Sequence, residues 1–290
     1  MIKASVIIPT YKDWPRLQIC LDALARQSAA PDLFEILVTN NNRTAAVPAD
    51  LRLPGNARVI WAEEPGSYAA RNVALAEATG EVLFFTDSDC VPDPDWVRLG
   101  LERMAGLPER DRIAGCIELF PEGEHWRPAE IYDRLMWLKQ PEYVKSGWGT
   151  TANLVVRRAL FAEVGPFDAK SFSGGDKEWN LRAFAKGSQI HYDERVIIKH
   201  PARSTFAELA LKRRRLIGGK HERQASSIKR FLPPLKLLRP SVKSTLKIWR
   251  YENLSARDRF GLAVIDYRLR LLMFRELIKL RYLGSKGERQ

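Results

Sequence analysis

Short apolar runs and amphipathic segments alternate along the first 90 residues of the chain. Four runs have the length and composition of buried strands, at 5–9, 34–38, 57–61 and 82–86. Between the first two runs, Leu17, Leu21 and Leu24 recur at helical spacing, and an alanine-rich stretch over 67–78 predicts a second helix. This alternation predicts an α/β fold in which helices cover both faces of a parallel sheet.

The pattern is less regular in the rest of the chain. Strand-like runs near 155–156 and 190–198 accompany helical stretches near 159–164 and 176–186. A basic helix is predicted over 204–224. Ser255 and Asp258 form a capping box for a last helix that reaches about Leu283. We expect this helix to pack on the domain, on a second subunit or at a lipid interface, because its apolar residues lie on several sides.

The expected domains differ sharply in charge. Residues 1–200 hold 24 Lys/Arg and 28 Asp/Glu, whereas residues 201–290 hold 23 Lys/Arg and 7 Asp/Glu. A positive excess of this size indicates an anionic partner, or a solvated basic surface. We predict one domain with two halves, followed by a basic helical C-terminal extension: 1–203, divided into 1–112 and 113–203, and then 204–290.

Cysteine usage and hydropathy suggest the compartment. Cys20, Cys90 and Cys116 show no metal-ligand spacing, which indicates reduced thiols in the cytoplasm. We expect neither a signal peptide nor a spanning helix, since no stretch is long and apolar enough. The expected location is therefore cytoplasmic, with the chain peripheral on the inner face of the membrane.

Polar side chains follow three of the predicted strands. Thr10 and Tyr11 come after Pro9 at the end of the first run, and Asn40, Asn41 and Asn42 follow the second. Asp87, Ser88 and Asp89 follow the fourth. Because ligands bind at the carboxyl ends of strands in such sheets, we expect these segments to form one site.

Two carboxylates at alternate positions point to the same side of an extended chain. Asp87 and Asp89 have this spacing, and oxygen ligands suit a divalent cation such as Mg²⁺ or Mn²⁺. Such a cation can stabilise a departing diphosphate. The alternative is a solvated turn, since the same spacing recurs at Asp93 and Asp95.

Three more residues are candidates, each with a structural alternative. Asp176, after Gly174 and Gly175, is either a general base or a helix cap, and Glu178 is the alternative base. Arg71 either pairs with phosphate or lies on a helix surface. His200 either supplies a third metal ligand, contacts a phosphate or is a structural histidine.

Taken together, these segments resemble the inverting family 2 glycosyltransferases of the GT-A fold. The resemblance covers residues 4 to about 200 in order and is carried by segments 5–11, 35–41, 65–72, 87–89, 149–158 and 175–176. It implies a single Rossmann-like mixed sheet flanked by helices, with a nucleotide-binding half and an acceptor half. It also implies transfer of a hexosyl group from a nucleotide-diphosphate sugar to an acceptor hydroxyl.

The resemblance also implies roles for individual residues. The nucleotide sugar is expected at Pro9, Thr10, Tyr11, Asn40, Arg71, Asp87 and Ser88. The cation is expected at Asp89, Asp87 and His200, with Asp176 as the base. The sequence departs from the family pattern at Asn40, where an aspartate is usual, and at Gly175, where a glutamate is usual. The first change affects base recognition, because an amide donates as well as accepts hydrogen bonds.

The expected acceptor is a glycan or a lipid-linked sugar, in cell-surface polysaccharide or glycolipid synthesis. Aromatic residues that either stack on sugars or belong to the core are Trp126, Trp137, Tyr143 and Trp148. A homodimer is a further expectation. We expect residues 204–290 to contact an anionic membrane surface and no nucleic acid.

Two other functions remain as alternatives. A nucleotidyltransferase needs a glycine-rich basic loop after the first strand, and residues 9–13 contain no glycine. A non-catalytic protein that binds anionic surfaces would use the basic run Lys212 to Arg215.

Overall fold

A computed structural model describes residues 2–42, 44, 46–171, 173–223, 234–252 and 254–282 of the chain. They form two compact units. The first unit comprises Met1–Glu118, Lys139–Ser171 and Gly175–His200; the second comprises Leu119–Leu138, Phe172–Gly174 and Pro201–Gln290. The domain bounds expected from the sequence, at residues 112 and 203, remain predictions.

Eight strands in the described residues form one mixed sheet, in the order β3-β2-β1-β4-β7-β6-β8-β5. The strands are β1 (Ala4–Thr10), β2 (Phe34–Asn40), β3 (Ala57–Trp61), β4 (Val82–Phe85), β5 (Val91–Pro92), β6 (Arg112–Phe120), β7 (Leu154–Arg157) and β8 (Ile190–Pro201). Strands β3, β2, β1 and β4 are parallel, which confirms the prediction for the first 90 residues. Antiparallel pairing begins at β7.

Helices cover the sheet and build the second unit. They are α1 (Trp14–Leu24), α2 (Ser67–Glu77), α3 (Trp96–Ala105), α4 (Pro128–Met136), α5 (Gln140–Val144), α6 (Arg158–Val164), α7 (Gly175–Ala185), α8 (Phe206–Arg223), α9 (Val242–Trp249) and α10 (Ala256–Tyr282). Asp13 precedes α1, and its side chain makes no capping hydrogen bond. The capping box of Ser255 and Asp258 is present, whereas the predicted end of α10 at Leu283 lies outside the described residues.

The sheet separates two apolar clusters because alternate residues of a strand point to opposite faces. Val6 and Ile8 of β1 belong to one cluster, and Ile7 between them belongs to the other. The same alternation holds in β4, where Phe84 and Phe85 face opposite sides. With both faces covered, these strands are apolar throughout, and polar residues are left for the strand ends.

The second unit has its own core, in which α4, α8, α9 and α10 meet around Tyr132, Leu209, Ile248 and Leu262. Helix α10 therefore packs within the chain, the first of the alternatives given for it. Tyr132 donates a hydrogen bond of 2.7 Å to Asp266 on α10. No helix in the described part of the chain has the length and apolar character needed to cross a membrane.

The basic run of α8 is not a uniformly solvated surface. The Arg213 guanidinium lies 4.7 Å from the centre of the Trp137 ring, and Arg214 lies 3.7 Å from a Glu276 oxygen. Arg215 is exposed. Half of the run expected to contact an anionic surface is thus directed into the second unit.

Candidate active site

Strand register aligns the predicted binding residues at one edge of the sheet. Thr10 at the end of β1 lies beside Asn40 at the end of β2, and Ile7 lies beside Phe85 at the end of β4. Pro9, Thr10 and Asn40 are buried, whereas Tyr11 is exposed just beyond the strand. The segments expected from the sequence therefore do lie at a common edge.

Four side chains form an acidic cluster after β4. The ligand atoms of Asp87, Asp89, Cys90 and His200 lie within 4.8 Å of one another. His200 comes from the end of β8, and its Nε2 lies 3.7 Å from an Asp89 oxygen. Ser88, between the two aspartates, is half-buried. The distant His200 thus reaches the Asp-x-Asp segment, as the metal-ligand hypothesis requires.

The donor atoms of this cluster suit a hard divalent cation. Two carboxylates and an imidazole are common ligands of Mn²⁺, and Mg²⁺ favours the oxygens. Burial, with the nearby Asp89 and Asp87 carboxylates, raises the pKa of the Cys90 thiol well above its usual value. The two aspartates, which are half-buried, remain open to a ligand.

Arg71 on α2 is buried, only 3% exposed, and is not a surface arginine. Its guanidinium pairs with Asp87 and lies 5.8 Å from the centre of the Tyr68 ring. It also donates to the Ser67 carbonyl at 3.4 Å. The positive charge is therefore fixed beside the acidic cluster, where it can meet a phosphate group.

Tyr68 links this cluster to Asp176. The Tyr68 hydroxyl donates to Asp176 Oδ1 at 3.2 Å, and the Lys177 backbone N–H donates to the same oxygen at 2.8 Å. Burial and the Asp176 charge raise the pKa of Tyr68, so the hydroxyl keeps its proton. A β-carbon on Gly175 would lie 2.8 Å from the Tyr68 ring, so a glutamate at this position, as in the family pattern, would require the ring to shift.

Helix α7, which carries Asp176, is anchored by its next turn. The Asn180 side chain donates to the carbonyls of Gly149 and Asp176, and Trp179 Nε1 donates to the Gly165 carbonyl. Both oxygens of Glu178 accept hydrogen bonds from Arg182. Glu178 is therefore engaged in an ion pair, which favours Asp176 as the base.

Several buried polar atoms at the same edge of the sheet lack a hydrogen-bond partner among the described residues. They are Thr10 Oγ1, Thr39 Oγ1, Asn42 Nδ2, Thr86 Oγ1 and Arg71 Nε. Buried polar atoms in native proteins normally have partners, so an edge with several unpaired ones fits a polar ligand. The residues present thus fit both a divalent cation and a phosphate-bearing nucleotide.

Sequence reasoning assigned no separate role to Asn41, which shapes the loop before α2. Its Oδ1 accepts a 2.6 Å hydrogen bond from Gly66 N–H, and its Nδ2 donates to the Glu64 carbonyl at 2.6 Å. Gly66 has φ +125°, a conformation that side chains rarely adopt. Tyr68 and Cys90 were also missed; the only signal for them was their position next to predicted site residues.

The candidate sugar-stacking aromatics are largely engaged within the protein. Tyr143 and Trp148 stack on each other with ring centres 4.0 Å apart, and the Lys177 ammonium lies 5.0 Å from the Trp148 ring. In the second unit, Trp137 contacts the guanidinium groups of Arg203 and Arg213, and Trp126 contacts that of Arg134.

Similarity to known proteins decides the family. The model of the family described as glycosyl transferase family 2 matches residues 5–166. Glycosyltransferase AglE of Haloferax volcanii is 31% identical over 267 residues, which cover 90% of this chain and 78% of that protein. The chain belongs to glycosyl transferase family 2. This family 2 chain is a glycosyltransferase, which sets aside the nucleotidyltransferase and non-catalytic alternatives.

Solved structures share its fold. Mannosyltransferase PcManGT from Pyrobaculum calidifontis, in complex with GDP-Man and Mn²⁺, gives a TM-score of 0.57 at 18% identity and covers 99% of this chain and 76% of its own. S. aureus TarS 1-349 in complex with UDP gives 0.53 at 16% identity, covering 98% and 92%. The GT-A fold expected for this family 2 chain is confirmed.

Proposed function

We propose that the protein transfers a hexosyl group from a nucleotide-diphosphate sugar to an acceptor hydroxyl, with inversion and with a divalent cation. One observation carries the proposal: contacts run without a break from Asp176 through Tyr68 and Arg71 to Asp87. A general base, a fixed positive charge and a cation site are thereby held together. An inverting transfer needs these groups at one place.

The donor would lie along the edge of the sheet. Pro9, Thr10, Tyr11 and Asn40 would bind its nucleoside, and Arg71, Asp87 and Ser88 its ribose and phosphates. The unpaired atoms at this edge support that placement, as do GDP-Man and UDP in the structures of PcManGT and TarS. The Asn40 Oδ1 already accepts a hydrogen bond from Asn42 N–H, which holds this side chain at the edge of the sheet.

Asp89, Asp87 and His200 would hold Mn²⁺ or Mg²⁺. When bound, the cation neutralises charge on the diphosphate as the bond to the sugar breaks. Arg71 contributes a second positive charge. Because Arg71 is buried, this charge interacts with a phosphate more strongly than that of an exposed arginine would. The Mn²⁺ in the structure of PcManGT supports the choice of metal.

Asp176 would accept the proton of the attacking hydroxyl. As that proton moves to the carboxylate, the acceptor oxygen bonds to the anomeric carbon from the side opposite the diphosphate, and the diphosphate leaves with the bonding electrons. Tyr68 and Lys177 hold one oxygen of Asp176 by hydrogen bonds. The other oxygen would then take the proton of the acceptor hydroxyl.

The acceptor class is the least constrained part of the proposal. We propose a glycan or lipid-linked sugar, used in cell-surface polysaccharide or glycolipid synthesis at the cytoplasmic side of the membrane. A homodimer fits the same function but is not needed for it, since the first unit carries every site residue named above.

The decisive experiment is a screen of nucleotide sugars for hydrolysis and transfer, with Mg²⁺ and Mn²⁺ compared. Proton NMR of the product reports whether the anomeric configuration is inverted.

Calorimetry of nucleotide binding then compares the native chain with Asp89→Ala. Binding should depend on the cation only in the native chain, and Asp95→Ala, outside the cluster, should behave as native. Equal affinity of the native chain with and without cation would overturn the cation site, and a retained configuration would overturn inversion.

A further inference from the structure

An exposed apolar stripe runs along α9 in the second unit. Val242, Leu246 and Trp249 are 75%, 47% and 61% exposed. Their spacing places them on one side of the helix. Ile248 is buried and lines a cavity of about 240 Å³ together with Val264 and other residues of α10. The helix is thus held by Ile248, while the stripe stays largely exposed; the Arg259 guanidinium lies 5.7 Å from the centre of the Trp249 ring.

The turn before α9 also carries exposed leucines. Leu235 and Leu238 of the 3-10 helix Leu235–Leu238 are exposed, whereas Leu237 is buried. Arg270 on α10 donates to the carbonyls of Lys236 and Arg239 at 2.7 and 2.8 Å, and Tyr267 donates to that of Leu238. Because these bonds fix the backbone, the exposed leucines are held in place on α10.

Basic residues accompany this apolar surface. Residues 234–251 contain Lys236, Arg239, Lys243, Lys247 and Arg250 and no acidic residue. On α9, Lys243, Lys247 and Arg250 follow the stripe residues by one position each, so they form the neighbouring side of the helix. The exposed side chains of residues 235–250 are called the docking face below.

The docking face differs from the basic run of α8. Arg213 and Arg214 of that run contact Trp137 and Glu276 within the unit, as described above. By contrast, Lys236, Arg239, Lys243 and Arg250 are exposed. The charge best placed to meet an outside partner is therefore on α9 and the turn before it.

We propose that the docking face binds the surface of a bilayer that contains anionic phospholipids. Apolar side chains on a short helix enter the boundary between headgroups and acyl chains, while neighbouring lysines and arginines meet the phosphates. Trp249 has the ring type that prefers this boundary. The proposal goes beyond the transfer reaction, because it requires neither donor nor acceptor.

Charge argues against a second copy of the chain as the occupant. A two-fold interface sets each patch against itself, so the five basic residues of one copy would face those of the other. Nucleic acid is also a poorer match, since Val242 and Leu246 offer no hydrogen bond or ring to a base or phosphate. A membrane surface satisfies both the apolar and the basic side chains.

Vesicle flotation of the full chain tests the proposal. At low salt, the protein should float with vesicles of phosphatidylcholine and phosphatidylglycerol and stay behind with vesicles of phosphatidylcholine alone. Val242→Ser with Leu246→Ser removes apolar area without changing charge. Lys236→Glu with Lys243→Glu changes charge and leaves the apolar stripe. Each double variant should lower partitioning at least roughly tenfold.

Matched controls separate the docking face from general effects. Ile19→Ser alters an exposed apolar residue on α1, and Lys3→Glu with Arg26→Glu makes the same net change in charge on exposed residues of the first unit. Both controls should float like the native chain, and circular dichroism should show all variants folded.

Three outcomes would overturn the proposal. In the first, the native chain stays behind with both kinds of vesicle. In the second, the docking-face variants float as well as the controls do. In the third, those variants abolish a concentration-dependent dimer seen by sedimentation without altering flotation. Calorimetry of nucleotide binding on the same variants keeps this test apart from that of the transfer reaction, since the docking face carries no donor-site residue.

Discussion

Tyr68 has three separate effects at the scale of one residue. Its hydroxyl holds an oxygen of Asp176, its ring lies against the Arg71 guanidinium, and its edge occupies the space of a side chain at position 175. A phenylalanine would keep the last two contacts and lose the first. Individual substitutions can therefore separate proton transfer from binding of the donor.

Replacement of the proposed base, Asp176, should affect turnover alone. We expect Asp176→Asn to lower kcat by roughly 10²–10⁴, since an amide cannot take the acceptor proton. Donor affinity by calorimetry should be nearly native, because Asp176 Oδ1 is held by Tyr68 and Lys177 and belongs to no part of the acidic cluster named above. Glu178→Gln, which alters the ion pair with Arg182, should retain most activity. Native turnover in Asp176→Asn would remove the residue from its role.

Tyr68→Phe should act through the position of Asp176. We expect kcat to fall roughly ten- to hundredfold, equivalent to one hydrogen bond to a charged group. KM for the donor should change little, since the ring under Arg71 remains. Steady-state kinetics at varied donor concentration measures both values. A rise in KM at unchanged kcat would instead assign Tyr68 to donor binding.

Glu35 joins three elements at the opposite end of the strands from the site. Its Oε1 accepts hydrogen bonds from Ser5 Oγ on β1 and from both the backbone and the hydroxyl of Thr79, just after α2. Burial favours a higher pKa for Glu35, but the Thr79 and Ser5 hydrogen bonds, with Arg58, outweigh it and lower the pKa below its ordinary value of 4.5. These contacts fix where β1, β2 and the end of α2 meet.

Glu35→Gln should therefore destabilise the first unit in a pH-dependent way. Urea unfolding should show a loss of roughly 1–3 kcal/mol near neutral pH, because a charged acceptor of three hydrogen bonds is replaced by an amide. Since the folded-state pKa is lowered, this contribution is present above the unfolded-state value and is lost as pH falls through the folded-state value.

The control for this change is Glu77→Gln. It removes the charge of an exposed carboxylate that lies 3.1 Å from Arg58, the arginine that also pairs with Glu35. It should cost less than about 1 kcal/mol. A difference between native protein and Glu35→Gln that stayed constant from neutral to acidic pH would contradict the role given to the charge.

At the scale of the whole molecule, the chain passes between its two units several times. Helix α4, at Pro128–Met136, lies within the stretch expected to form the acceptor half, yet it belongs to the second unit. There Ala129, Tyr132 and Leu135 pack in one cluster with residues of α8, α9 and α10. Helix α4 therefore shares its core with helices from the last 87 residues of the chain.

A chain that ends at residue 203 should consequently be poorly soluble. It would uncover Tyr132 and Leu135, and each large apolar side chain contributes about 1.5–3 kcal/mol when buried. Size-exclusion chromatography and binding of a hydrophobic dye measure the effect. A chain shortened only to residue 282 is the control and should stay monodisperse. A soluble, compact chain of residues 1–203 would show that α4 does not need its partners.

The sequence was sufficient to predict features that depend on the order of residues within one segment. Apolar runs that end in polar residues predicted the four parallel strands and the alignment of Thr10, Asn40 and Asp87 at one edge. The fold class followed from the same pattern and from the resemblance to the family. The roles of the individual site residues remain proposals.

Other features depend on contacts between distant segments, which no local pattern encodes. Nothing in residues 67–72 indicates that Tyr68 reaches Asp176, which lies 108 positions away. From the sequence, the run from Lys212 to Arg215 is expected to be solvated throughout. Only the structure shows that Arg213 contacts Trp137 and that Arg214 pairs with Glu276. The engagement of Glu178 by Arg182 could be anticipated from helical spacing, but not its effect on the choice of base.

The close packing of Tyr68 against Gly175 couples the two positions. A side chain at position 175 would bring its β-carbon to 2.8 Å from the Tyr68 ring, so the ring would have to shift. A smaller residue at position 68 would relieve this contact but would lose the hydroxyl that holds Asp176. Substitutions at the two positions are therefore expected to be coupled. A mutational scan that changed each position alone would not predict the activity of the double variant.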